Sequence, residues 1–235
     1  MRGVSPPLRP STYNRHMPLI IGVTGSIAAG KSLVCSHLAE KFAATHVDAD
    51  REIHQLYAPG TPGFDRVTAE FGEDIVGDDG VIDRKVLGAR VFGNAERMEA
   101  LRTAIGDIPA HFMAMLERWQ QELPPDAIAI FEAINLVERD YMTRCNAAWL
   151  VVCDDATAIE RMVANRGLTR DEAEQRLASA TDWREREPAC DRVFHNNGTI
   201  ETLLTEVEEA LEETREAYRA GTLPRPRWYA ARGRE

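Results

Sequence analysis

The sequence predicts an α/β fold, a parallel sheet covered by helices on both faces, from three observations. Short apolar, β-rich runs recur at 18–23 (PLIIGV), 45–47 (THV), 127–131 (AIAIF) and 147–152 (AAWLVV), with helical stretches between them. Strands buried on both faces read as near-continuous apolar runs, and their alternation with helices is the pattern of a parallel sheet. The first run leads straight into a glycine-bounded turn and an amphipathic helix, "KSLVCSHLAEKFA". The interval from about 57 to 125 breaks the rhythm, with Pro-Gly punctuation (Ala58-Pro59-Gly60-Thr61-Pro62-Gly63) followed by helical patterns. It reads as a helical insertion at the mouth of the sheet.

Bulk properties bound the function. The chain has 235 residues, 44% hydrophobic and 28% charged, enough to bury a substantial core. A formal net charge of −10 disfavours wrapping a nucleic-acid backbone, which needs a concentrated basic face. No stretch approaches the roughly 20 apolar residues of a membrane span. The segment "MRGVSPPLRPSTYNRHM" has no apolar core of a secretory signal. Cys35, Cys145, Cys153 and Cys190 are widely spaced and contain no C-x-x-C pair, as expected of thiols in a reducing cytoplasm.

Taken in order, residues 1–17 carry Pro and Arg without periodicity and are expected to be a disordered extension, with Met17 a possible start. Next comes Gly25-Ser26-Ile27-Ala28-Ala29-Gly30-Lys31-Ser32, a complete G-x-x-x-x-G-K-[ST] phosphate loop between a strand and a helix. Its glycines let consecutive N–H groups turn inward on an anion, and the following helix adds its positive dipole end. Lys31 reaches toward the β- and γ-phosphates of a nucleoside triphosphate, and the Ser32 hydroxyl is a ligand for Mg²⁺. Leu33, directly after Ser32, completes the cofactor-binding stretch. The fold is therefore of the three-layer P-loop nucleoside-triphosphate hydrolase type.

The second apolar run ends in Asp48-Ala49-Asp50. On an extended strand, residues two apart share a face, so both carboxylates are expected to project together at the carboxyl edge of the sheet. One could hold the magnesium shell through water and the other accept a hydroxyl proton. The competing expectation is that an aspartate here only caps the next helix. Further on, Arg161, Arg166 and Arg170 suit a helical lid, about 166–187, whose guanidinium groups close over a transferring phosphoryl. Arg161, on the helix leaving the "WLVVCD" strand, is the arginine expected to face the site. The six histidines show no metal-ligand spacing and read as surface or helix residues. "TIETLLTEVEEALEETREAYRA" is an amphipathic closing helix, and the basic tail assigned to 215–235 reads as a solvated end.

In order, "IGVTGSIAAGKS", "VDADREIHQLYAPGTPGF", "FGEDIVGDDGVIDRKVLGARVFGN", "WLVVCDDATAIERMVANRGLT" and "CDRVFHNNGTIETL" make the chain similar to the dephospho-CoA kinase family. The resemblance runs from about Leu19 to Val207 and implies a nucleotide core, a helical region receiving the CoA moiety, and a lid, within a domain at 18–214. It implies ATP and Mg²⁺ as cofactors and dephospho-CoA as acceptor. It also implies functional roles for Thr24, Asp50 and Arg161, with Asp50 the base and Asp48 nearer the metal. Asp83 and Arg84 fall in the acceptor region, Glu138 is assigned with them and Asp50 to substrate binding, and Asn196 and Asn197 follow the last strand near where adenine sits. Departures from the family pattern are Ser26, Ala28 and Ala29 in the loop, Ile108-Pro109, Ala133 with Glu138 at the third strand's exit, and Ala180 in the lid. Ala28 resists positive φ more than glycine would. The expected partners are small molecules, with no nucleic acid and no membrane, acting on a monomer or weak homo-oligomer. Two other readings stay open: a different small-molecule or nucleotide kinase, and a nucleotide-binding protein that has lost transfer.

Overall fold

The computed structural model describes residues 17–234, so the expectation for the N-terminal extension lies, Met17 apart, outside the described residues. The chain runs β1 (Leu19–Gly25), α1 (Lys31–Phe42), β2 (Thr45–Asp48), α2 (Ala49–Gln55), α3 (Pro62–Phe71), α4 (Arg84–Val91), α5 (Ala95–Ile105) and α6 (Ile108–Glu122). It continues with β3 (Ile128–Glu132), β4 (Ala147–Val152), α7 (Asp155–Arg166), α8 (Arg170–Ala178), β5 (Arg192–His195), α9 (Ile200–Ala220) and α10 (Arg227–Ala231). Two compact units result. One combines the chain up to residue 46 with 116 onward, and the other is 47–115.

The first unit carries the sheet, ordered β2-β3-β1-β4-β5, with β1 parallel to β3 and β4, and β4 parallel to β5. Every residue of β1, β3 and β4 is buried, which is why these runs read as unbroken apolar sequence. Leaving β1, the chain goes out to β2 on one side. After β3 it crosses to β4 on the other, so the order reverses around β1, where open α/β sheets bind ligands. Val34, Cys35 and Leu38 of α1, Met162 of α7 and Leu203, Val207 and Leu211 of α9 pack with Ile21, Val23 and Trp149 in one core. Each such side chain, fully buried, contributes about 1.5–3 kcal/mol. The fifth strand is absent from the apolar runs because only Phe194 of its four residues is buried. All four cysteines are buried thiols.

The second unit is helical, as expected, and is built on its caps. Thr61 caps α3 by accepting from Phe64 N–H, with Pro62 at the first helical position. The Pro-Gly cluster is thus a tight entry into α3, not a linker. Asp83 and Asn94 cap α4 and α5 in the same way. Arg66 closes the other end of α5, donating to the carbonyls of Ala104 (2.7 Å) and Ile105 (3.0 Å). Val67, Phe71, Ile75, Leu87, Val91 and Ile105 fill its core. Its limits differ from the expected 57–125. It opens at Val47, inside β2, and gives way to the first unit within α6, because neither change of unit is marked by Pro, Gly or a polar run.

The C-terminal expectation needs correction. The closing helix ends at Ala220, as its quoted sequence predicts, with Gly221 at a left-handed φ of 71°, so the boundary assigned between 214 and 215 falls inside it. The residues after it are not a solvated end: α10 follows, and its Trp228 is fully buried.

At the end of α1, Ala43 has φ 50° and ψ 39°, the left-handed cap conformation that glycine fills without strain. Replacing Ala43 by Gly should stabilise the fold by about 1 kcal/mol, read as a higher urea midpoint. An unchanged or lowered midpoint would sink that account.

Candidate active site

The loop leaves β1 at Gly25, where an added Cβ would sit 2.6 Å from the Val151 carbonyl oxygen. Ser26 N–H donates to that carbonyl at 3.0 Å, tying the turn to β4. The curl of the cradle requires φ 56° at Ala28 and 89° at Gly30. The expectation that alanine resists this geometry meets a loop that imposes it, at a cost of about 1–2 kcal/mol. Gly30, the N-cap of α1, offers no side-chain cap, and the first turn of the helix holds no acidic residue. Its orphan N–H groups and positive dipole end therefore face the loop without a built-in anion. Leu33 follows on α1 with its side chain exposed.

Lys31 and Ser32 converge on one carboxylate that sequence reasoning missed. Glu132 ends β3 and is completely buried. Its Oε1 accepts from Lys31 Nζ and from Ser32 Oγ, the latter at 2.5 Å, and its Oε2 pairs with His46 Nε2 at 2.9 Å. Burial pushes the Glu132 carboxyl up. The His46 hydrogen bond, the Lys31 charge and hydrogen bond, and the Ser32 hydroxyl outweigh it and bring the group from 4.5 down to about 2. One signal could have found it, namely an acidic residue ending an otherwise apolar strand run, "AIAIFE". His46, read as a surface residue, is half-buried on β2 as part of this cluster. Cys35, His46 and Glu132 bring thiol, imidazole and carboxylate within 4.8 Å of one another. The oxygens of Ser32 and Glu132 suit Mg²⁺, which prefers hard oxygen ligands.

A second group braces the loop. Arg161 on α7 donates to the Asn196 carbonyl (3.0 Å), the Asn196 side-chain oxygen (3.1 Å) and the Ala28 carbonyl (3.5 Å). Asn196, buried just after β5, donates to the Ala29 carbonyl at 2.7 Å. Its side-chain amide thereby ties the end of β5 to the loop. Asn197 accepts from Asp154 N–H at 2.8 Å, capping the start of α7. Thr24 is buried on β1, its hydroxyl donating to the Ile134 carbonyl at 2.9 Å. Arg166 and Arg170 are exposed, Arg170 lying 3.8 Å from Glu174, as on a solvated helix face. Glu138 is engaged by Arg186 Nε at 2.6 Å, and Arg186, another residue the sequence reading passed over, also reaches the Gly25 carbonyl at 3.4 Å.

The remaining candidates belong to the second unit, except that β2 carries the chain into it. Here the shared-face premise fails. The strand ends at Asp48, which caps α2 by accepting from the N–H groups of Asp50 (3.0 Å) and Arg51 (3.4 Å), while Asp50 lies in the first helical turn. The capping alternative holds for Asp48. Asp83 caps α4 and Arg84 is its first residue. Arg84 and Arg51 line a cleft of about 410 Å³ with His54, Tyr57 and Ile82. Burial, then the Arg84 charge, lowers the His54 pKa, against the opposing pull of Asp50 and Asp48.

A family model described as dephospho-CoA kinase matches residues 19–202. The dephospho-CoA kinase of Shouchella clausii is 36% identical over 195 residues, covering 83% of this chain and 98% of its own. That of Geobacter sulfurreducens is 39% identical over 194 residues, 81% and 95% of the two chains. A crystal structure of a Thermus thermophilus protein superposes with a TM-score of 0.65 at 25% identity, covering 84% of this chain and 98% of that one. The dephospho-CoA kinase from Campylobacter jejuni shares the fold, with a TM-score of 0.57 at 21% identity over 84% and 97% of the chains.

The depressed Glu132 carboxyl has a pH consequence. A carboxylate whose folded pKa lies below its unfolded value stabilises the fold above about 4.5, and that share is lost as pH falls toward about 2. Glu132→Gln should therefore lose stability at pH 7 while showing a smaller further loss between pH 5 and 2.5 in urea titrations. Parallel acid profiles for the two proteins would refute the assignment.

Proposed function

Since the chain belongs to the dephospho-CoA kinase family, we propose that it transfers the γ-phosphoryl of ATP to the ribose 3′-hydroxyl of dephospho-CoA, giving coenzyme A and ADP. The observation that carries this reading is the convergence of Lys31 and Ser32 on buried Glu132 beneath a complete phosphate loop. Such a loop cradles a triphosphate by backbone N–H groups, and Lys31, released from Glu132, is long enough to follow the γ-phosphate. Ser32 and Glu132 would hold Mg²⁺, with Asp48 assigned to its water shell from sequence order alone. When bound, the ion neutralises charge on the β- and γ-phosphates. Arg161 holds the loop carbonyl of Ala28 and the Asn196 carbonyl after β5, and lends positive charge there.

Asp50 is assigned as the base that takes the hydroxyl proton, and Asp83 and Arg84 as part of the acceptor region. These roles come from the family motif. Among the described residues no helix is long and apolar enough to cross a membrane. The proposed setting is the cytoplasm, with ATP and dephospho-CoA as small-molecule partners of a monomer or weak homo-oligomer, and with no nucleic-acid role.

The test is ADP release from purified protein with ATP and Mg²⁺, with dephospho-CoA present or omitted and with adenosine, AMP and shikimate as competing acceptors. Turnover dependent on dephospho-CoA, with coenzyme A as product, is expected. Preference for another acceptor, or ATP binding without turnover, would reject the reading. In the same assay Lys31→Ala should lower kcat by about 10³ or more and Asp50→Asn by about 10². An Asp48→Asn loss exceeding that of Asp50→Asn would reverse their assigned roles.

A further inference from the structure

Residues 223–234 lie beyond the family match, carry four arginines, and still dock tightly on the first unit. Trp228 is fully buried and its Nε1 donates to the Val137 carbonyl at 2.9 Å. Arg232 donates to the same carbonyl at 2.6 Å, and Arg234 pairs with Asp140 at 3.1 Å. Upstream, Arg227 N–H donates to Asp191 Oδ1 at 2.8 Å, while Asp191 Oδ2 accepts from Ala148 N–H of β4 at 2.7 Å. Burying an indole and satisfying one carbonyl twice is a specific attachment, unlike the fraying of an ordinary chain end.

What the arm holds is the β3 exit loop, residues 133–139, and that loop serves the phosphate site in two ways. The Ile134 carbonyl accepts from Thr24, and Glu138 grips Arg186, whose guanidinium reaches the Gly25 carbonyl where the phosphate loop begins. Exit loops are ordinarily the mobile, variable part of an α/β site. Here Val137 is pinned from outside, one residue before Glu138.

We propose that the C-terminal arm is a positioning element for nucleotide binding, fixing the β3 exit loop so that Glu138 keeps Arg186 against the start of the phosphate loop. The proposal rests on that loop being the nucleotide site but not on the identity of the acceptor. Trp228, Arg232, Glu138 and Arg186 are positioning residues in this scheme, acting through the Gly25 carbonyl.

The test uses the full chain with Trp228→Ala, Trp228→Phe, Arg232→Ala and Glu138→Gln. ATP affinity is measured by calorimetry without acceptor, KM for ATP and kcat in the coupled assay, and Tm by thermal unfolding. Trp228→Ala and Arg232→Ala should each weaken ATP binding about three- to tenfold, with Trp228→Phe recovering most of the loss. Combining Trp228→Ala with Glu138→Gln should cost no more than the larger single change, because both act on one chain of contacts. Wild-type ATP affinity in variants with a lowered Tm would overturn the proposal, leaving the arm a stabiliser only. Multiplying losses would overturn it too, since arm and Glu138 would then act separately. If Trp228→Ala does not fold, Arg232→Ala, whose side chain lies at the surface, decides alone. Tight ATP binding that responds to the arm, in a protein that ignores dephospho-CoA, would uphold this inference while rejecting the proposed acceptor.

Discussion

The arrangement of the nucleotide-side chemistry depends on one buried carboxylate. Glu132 has no solvent to stabilise its charge, so its ionisation needs the partners around it. The protein supplies an ammonium, a hydroxyl and an imidazole from α1 and β2. The same requirement fixes where those groups lie. Lys31 and Ser32, on the first turn of α1, can both reach Oε1 only if the helix begins directly beside the carboxyl end of β3. Strand order β3-β1 and the loop from β1 into α1 provide that adjacency. Electrostatics and topology are therefore one constraint: the sheet order brings the charges together, and the charges reward that order.

The loop above this carboxylate is held from two directions. Arg161 and Asn196 take up the carbonyls of Ala28 and Ala29, while Ser26 N–H and Ala29 N–H are held by the carbonyls of Val151 and Ser26. Arg186 takes the carbonyl at Gly25. The cationic braces also place positive charge near a site built for a polyanion, at no cost in contacts to the anion itself. Glycine at position 30 belongs to the same device, since an added Cβ would lie 2.7 Å from the Asn196 amide nitrogen.

Much of the fold was legible in the sequence because burial on both faces leaves little choice of residue. β1 as far as Val23, β3 as far as Phe131 and all of β4 are unbroken apolar runs, and the phosphate loop is spelled out between a strand and a helix. β5 was hidden because an edge strand with one buried residue carries no such run. The arm was misread because arginine-rich composition says nothing of a single tryptophan that finds a pocket; its attachment depends on Val137, some ninety residues earlier. Glu132 and His46 escaped for a related reason. Their pairing joins strands 86 residues apart, and neither residue has a local motif. Asp48 and Asp50 illustrate a different limit. Pattern alone could not tell a strand end from a helix start, and one residue of difference replaces a shared face by a cap.

Local rules are broken at several places in the first unit, and their grouping separates function from accident. Ala28 sits in a conformation that disfavours a Cβ, α1 starts without a side-chain cap, and Glu132 is a charge in the core. Each alone has ordinary explanations. Ala43 shows as much, being an equally strained alanine at a helix end with no chemistry near it in sequence or role. What distinguishes the other three is that they meet at one end of α1. An anion at the N-terminus of α1 would cap the helix and occupy the cradle that the strained turn creates, drawing on Lys31, while a cation held by Ser32 and Glu132 would balance the buried carboxylate. A fold that gathers a strained turn, an uncapped helix start and a buried carboxylate at one end of α1 is organised for a polyanion with its counter-cation, and a triphosphate has the charge and length to be that anion.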